Sequence, residues 1–147
     1  MIRKEFGKRV LMAALGSLGL YACFGGAEET PGEVPAFDDI AESDVITALG
    51  NEPFWNAVIE ADALTYSTPE DIDGQAISVT RFAGNGGLGI SGELNGAPFN
   101  LAVTPGECSD TMSDRSYPFT ATLTIGEEQR NGCAYTDSQI PSEEGAS

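Results

Sequence analysis

The chain has 147 residues, enough for one domain with short flanking segments. Its formal charge is −16, and from Cys23 onward three arginines (Arg81, Arg115, Arg130) and no lysine stand against 22 acids, because the first 22 residues hold the other four cations and only Glu5 of the 23 acids. A surface of that sign excludes nucleic acid and anionic headgroups as partners and attracts cationic proteins, although acidity also serves plain solubility or a salty habitat.

Residues 1–9 (MIRKEFGKR) are basic, and the apolar run VLMAALGSLGLYA leads from them to Cys23. A basic start, about a dozen apolar residues and a small residue at the cut read as a secretory signal over residues 1–22. The run is shorter than the ~20 residues that a spanning helix needs. Leu20-Tyr21-Ala22-Cys23 resembles the bacterial lipobox, in which the cysteine receives a diacylglycerol and becomes the mature N-terminus. Tyr21 departs from the smaller side chain usual there. Phe24 occupies the position where an aspartate often marks inner-membrane retention. The resemblance therefore implies an outer-membrane lipoprotein facing the periplasm and held to the membrane by a lipid on Cys23. Secretion of a soluble periplasmic chain is the alternative.

Residues 23–44 are rich in Gly, Pro, Ala and acids without periodicity, so they read as a disordered acidic tether. The polar stretch 137–147 reads as a disordered tail, which leaves residues 45–136 for the folded domain. Within it the apolar period is near two. Val45–Leu49 is a first strand, broken by Gly50-Asn51; WNAVIE (55–60) alternates, and Ala61-Asp62 turns it into ALTYS. Asp71-Ile72-Asp73-Gly74 reads as a turn before the strand AISVTRFA (76–83). GNGG (84–87) reverses the chain into LGISGEL (88–94), and Asn95-Gly96 predicts a type I′ hairpin into PFNLAVT (98–104). YPFTATLTI (117–125) places Tyr117, Phe119, Ala121, Leu123 and Ile125 on one face, and Gly126-Glu127 turns it into EQRNGCAY (128–135). Seven or eight short strands at this spacing predict an all-β fold, a small antiparallel barrel or sandwich.

Cys23, Cys108 and Cys133 are the only cysteines. With Cys23 acylated, the other two form an even pair in an oxidising compartment, where a bridge closing about 25 residues contributes roughly 3–4 kcal/mol. Two free buried thiols are the other reading. Two cysteines without histidine do not make a zinc site, and no metal or cofactor is expected. Gly84-Asn85-Gly86-Gly87-Leu88-Gly89 fits the dinucleotide fingerprint, but a strand follows where the mechanism requires a helix N-terminus. Asp71-x-Asp73-Gly74 begins like a calcium loop, yet the twelfth position is Phe82 instead of glutamate.

The densest polar cluster is ECSDTMSDRSYPF, Glu107–Phe119. Ser109, Thr111 and Ser113 are candidate nucleophiles without a histidine or lysine base, and Asp110 with Asp114 would be an acid–base pair of the glycosidase kind. Thr111-Met112-Ser113-Asp114 matches a helix-capping pattern, which predicts a single helical turn. Arg115 is expected to be held by Asp110, Asp114 or Glu52.

Gly50-Asn51-Glu52-Pro53-Phe54-Trp55, then Cys108-Ser109-Asp110-x-Met112-Ser113-Asp114-x-x-Tyr117-Pro118-Phe119 and Gly132-Cys133-Ala134, resemble a family of small bacterial envelope proteins, usually called predicted membrane proteins or lipoproteins. The likeness covers roughly residues 46–135. It implies a small barrel-like domain and a 108–133 disulfide, and it brings no assigned activity. Some members occur beside domains of the META heat-shock type or C-type lysozyme inhibitors, which is an association only. In physical terms, Gly50-Asn51 would bend the chain, Pro53 would stop pairing, and Phe54 and Trp55 would plug a barrel end or form a ligand-contacting rim.

The expectation is a non-enzymatic envelope lipoprotein, an accessory or binding protein of an unidentified ligand. An inhibitor of a cationic secreted hydrolase such as lysozyme is the sharper alternative, and a carbohydrate hydrolase trails behind. The candidate binding residues are Glu52, Trp55, Asp110, Ser113, Asp114, Arg115 and Tyr117, and a basic envelope protein is the candidate partner.

Overall fold

A computed structural model describes residues 35–143. The signal, the lipobox and Cys23 lie outside the described residues.

Nine strands follow one another: β1 (Ile46–Asn51), β2 (Phe54–Glu60), β3 (Ala63–Thr68), β4 (Asp71–Ala83), β5 (Leu88–Leu94), β6 (Ala97–Ser109), β7 (Arg115–Ile125), β8 (Glu128–Thr136) and the short β9 (Ser142–Glu143). Each of β1 to β7 pairs antiparallel with the next, and β8 returns to pair with β1, so the sheet closes as an up-and-down barrel. Alternation supplies the reason. In β2, Trp55, Ala57 and Ile59 are buried while their neighbours are half-buried or exposed, and β7 buries Tyr117, Phe119, Ala121 and Leu123 in the same rhythm. One face is apolar in β1 to β3 and in β5 to β7, and closure buries that face while removing free edges. Eight strands enclose a space that side chains fill. Phe99, Phe119, Ile46, Ile59, Leu64 and Leu101 are buried almost completely, and the Tyr66 and Phe99 rings meet edge-on at 5.6 Å.

Several hairpins form where expected. Asn95 and Gly96 have φ of 51° and 84°, as a type I′ turn requires, and the Gly84 amide donates to the Gly87 carbonyl at 2.9 Å. Other expectations are corrected. Asp71-Ile72-Asp73-Gly74 opens β4; the reversal lies just before it, at Pro69-Glu70. Asp71 Oδ1 accepts the Gly74 amide at 3.2 Å, and Gly74 has φ +77°, so this segment kinks the strand without reversing it. Gly50 and Asn51 likewise stay in β1, and the chain turns at Glu52-Pro53.

The folded region also exceeds 45–136 at both ends. Phe37 donates its amide to Gly84, Ile40 is 6% exposed within the core, and Arg81 donates to the carbonyls of Ala41 and Glu42. Two apolar residues suffice to dock residues 37–44 across the end of the barrel where β4 meets β5. At the other terminus Asp137 donates to the Val45 carbonyl, the Gln139 side chain donates to Asp39, and β9 pairs with Arg115–Ser116.

Candidate functional site

The β6–β7 hairpin runs past its neighbours. Its register shifts between Pro105 and Cys108, and the tip lies beyond that irregularity. Three ties hold it there. Cys108 is bonded to Cys133 of β8, with Cα atoms 5.6 Å apart. Asn51 Nδ2, at the end of β1, donates to the Asp110 carbonyl. On the opposite edge Ser116 and Arg115 pair with Ser142 and Glu143.

Inside the tip, Asp110 organises the backbone. Its Oδ1 accepts the amides of Met112 at 3.0 Å and Ser113 at 2.8 Å; its Oδ2 accepts the Ser113 hydroxyl at 2.8 Å and the Tyr117 hydroxyl at 3.1 Å. Thr111 takes up φ 61°, which lets the chain fold back on the carboxylate. These donors, the Ser113 amide and hydroxyl above all, lower the Asp110 carboxyl to about 2. Burial, then the bond to Asp110, raise the Tyr117 hydroxyl above its ordinary value.

This arrangement corrects two expectations. No helical turn forms between Thr111 and Asp114, because Asp110 supplies the capping oxygen and Thr111 is left-handed. Arg115 makes no ion pair with Asp110, Asp114 or Glu52; among the described residues the ion pair is Arg130 to Glu128, at 2.9 Å. Asp110 already has four donors, and Arg115 stands exposed.

The remaining candidates divide. Glu52, at the β1–β2 turn, is exposed and shares a cleft of about 400 Å³ with Asn51, Ser109, Asp110, Gln129 and Asn131. Thus the two motifs separated by some fifty residues of chain meet at one rim. Ser113 and Asp114 are exposed at the tip beside Met112, which is 69% exposed. Tyr117 is buried beneath the loop, its ring 6.0 Å from that of Tyr135. Trp55 lies inside the barrel, 3% exposed, and Phe54 points outward at 51%; only one of the two aromatics fills the interior. Glycines make room for it. A Cβ on Gly50 would stand 2.1 Å from Trp55 Nε1, and one on Gly132 would stand 2.0 Å from the Leu49 carbonyl oxygen. The Trp55 indole N–H has no acceptor among the described residues.

Sequence reasoning missed the Arg130 network. Arg130 Nη1 donates to the Tyr66 hydroxyl at 2.6 Å while Nε and Nη2 engage Glu128. Its place on the inward rhythm of Arg130, Gly132 and Ala134 was the available signal. Burial raises the Tyr66 hydroxyl, with Arg130 opposing the shift. Among the described residues no group of three His, Cys, Asp or Glu side chains is placed to hold a metal ion.

Compared with protein-family profiles, with curated proteins and with solved structures, the chain finds no match.

Proposed function

We propose that this protein is a non-enzymatic binding protein of the bacterial envelope, anchored through a lipid on Cys23, that contacts its ligand with the pinned tip of the β6–β7 hairpin. One observation carries the reading. The tip is fixed to the barrel by a disulfide and by the Asn51–Asp110 bond, while Met112, Ser113, Asp114 and Arg115 remain exposed. A rigid projecting loop loses little entropy on binding, which favours recognition over chemistry. The Asp110 carboxylate, held at about 2 by four donors, makes a poor general acid at neutral pH. Asp114 then lacks the partner that a glycosidase pair requires.

The tip also favours a second, narrower reading, inhibition of a basic secreted hydrolase such as a lysozyme. An apolar Met112 between Asp110 and Asp114 presents an insertable side chain flanked by acids. The acidic surface would speed encounter with a cationic enzyme and make it salt-dependent.

Pull-down from periplasmic extract at low and high salt tests the binding role. A partner retained at both salts, and lost with Met112→Ser plus Asp114→Asn, is expected; capture at low salt alone would reduce the protein to a charged adhesive. Titration against basic lysozymes addresses the narrower reading, and undiminished lysis at micromolar excess of the protein ends it. Fatty-acid labelling should depend on Cys23, and label retained by Cys23→Ala removes the anchor.

A further inference from the structure

Phe54 and Ile72 come from different turns yet border the same groove. Phe54 follows Pro53 at the start of β2, and Ile72, 82% exposed, stands near the start of β4. With Leu49, Trp55 and Pro69 they line a groove of about 320 Å³ that no charged side chain enters. Leu49, Gly50 and Asn51 separate this groove from the polar cleft under the hairpin, because they border both. Acids stand in the two turns that carry this lining. Glu52 precedes Phe54 by two residues, Glu70 follows Pro69, and Asp71 and Asp73 flank Ile72; Glu52, Glu70 and Asp73 are exposed. Among the described residues no arginine lines the groove. Arg81 is tied to the Ala41 and Glu42 carbonyls, Arg130 is engaged by Glu128 and Tyr66, and Arg115 belongs to the hairpin.

We infer that this groove is a docking site for a cationic protein segment that inserts an apolar side chain flanked by lysine or arginine. Two large apolar side chains held in water beside a groove gain by being covered. The acids of these two turns, on a surface that is acidic throughout, select what covers them. A second copy would set the same acids against one another, and an anionic membrane surface would be repelled likewise. A basic segment satisfies both halves of the site: its apolar residue fills the groove between Phe54 and Ile72, and its cations meet Glu52, Glu70 and Asp73. The inference rests on the proposed function's expectation of a basic partner and adds the groove to the hairpin tip as a second, separate contact.

Trp55 is the only tryptophan in the chain and lines the groove, so its emission reports occupancy without a label. The full chain in mild detergent is titrated with a synthetic tryptophan-free peptide carrying two leucines between lysine–arginine pairs, with calorimetry in parallel. A second peptide replaces both leucines by serine. The leucine peptide is expected to shift Trp55 emission saturably and to weaken as salt is raised from about 50 mM to about 300 mM. Ile72→Ser and Phe54→Ser should each weaken it about tenfold, and Met112→Ser should leave it unchanged. These two groove residues are half or more exposed, so the variants should retain the fold, which circular dichroism checks. Equal binding of the serine peptide overturns the inference, as does full affinity in both groove variants or no saturable binding by either method. Binding lost with Met112→Ser and kept with Ile72→Ser removes the groove while leaving the hairpin reading standing.

Discussion

The hairpin tip and the tryptophan seam are both fixed features, but they are fixed by opposite means. Around Asp110 the chain is held by directional bonds: four donors on one carboxylate, an amide from Asn51, and a disulfide. Around Trp55 the indole N–H has no acceptor among the described residues, and the ring is placed by the glycines beside it. Such a seam tolerates little change in volume, because interiors are close-packed. The tip tolerates change in volume and is sensitive to change in charge. If that contrast is right, the two regions should fail under different perturbations.

The largest effect is expected at the seam. Trp55→Ala removes a buried indole and should cost roughly 3–5 kcal/mol, read as a shift in the denaturant midpoint. Gly132→Ala should cost about 3 kcal/mol by overpacking, since its Cβ would meet a backbone oxygen 2.0 Å away that no side-chain rotation relieves. A Gly132→Ala midpoint equal to that of the parent would mean that β1 and β8 separate easily, and the seam would not be the rigid partner in this comparison.

Next in size is the covalent tie. The disulfide spans 25 residues, and its removal in Cys108→Ser/Cys133→Ser should cost about 3.5 kcal/mol on the chain-entropy account. What sharpens the comparison is where the loss appears. Hydrogen exchange should quicken at residues 109–114 while the amides of Ala57 and Ile59, inside the barrel, keep their relative order of protection. Uniform loss across the molecule would show that tip and barrel open as one unit.

Much of the barrel was legible because period-two patterning reports which face is buried, and closure follows when every strand has such a face. Asn95-Gly96 was legible because both residues tolerate positive φ. The ends were not. Phe37 and Ile40 are two apolar residues diluted by glycine, proline and acids, and composition over a window hides them. The pairing of Cys108 with Cys133 followed from counting cysteines, whereas the partners of Asp110 depend on Thr111 turning left-handed, a choice made by the folded loop. Arg115 misled for a related reason. Scarce cations invite pairing by elimination, but a carboxylate already holding four donors has no need of one. Ile72 was hidden inside a segment that reads as a turn, so its exposed side chain and Phe54 could not be seen to share a groove.

A smaller effect follows from the Asp110 carboxyl. Its folded value, about 2, lies below the ordinary 3.8, so the unfolded chain binds the proton more tightly. The stabilisation is therefore complete above pH ~4 and is lost as pH falls toward ~2. Asp110→Asn should cost about 1 kcal/mol near neutrality, because the group is only half-buried and its bonds compete with water. In that variant the Met112 and Ser113 amides should exchange faster, and the fall in stability between pH ~4 and ~2 should flatten. An unchanged acid limb would assign the acid sensitivity to other carboxylates.

The smallest expected effect separates two arginines of equal charge. Arg115 lies exposed on the hairpin without an ion pair to the carboxylates once expected to hold it, so Arg115→Ala should change stability by less than about 0.5 kcal/mol. Arg130 keeps 16% side-chain exposure between Glu128 and Tyr66, and Arg130→Ala leaves the Tyr66 hydroxyl without its donor inside the barrel, a loss of about 1–2 kcal/mol. Equal losses in the two variants would mean that net charge governs this acidic protein. Unequal losses mean that position does, and then Arg115, exposed on the hairpin, contributes little to the fold.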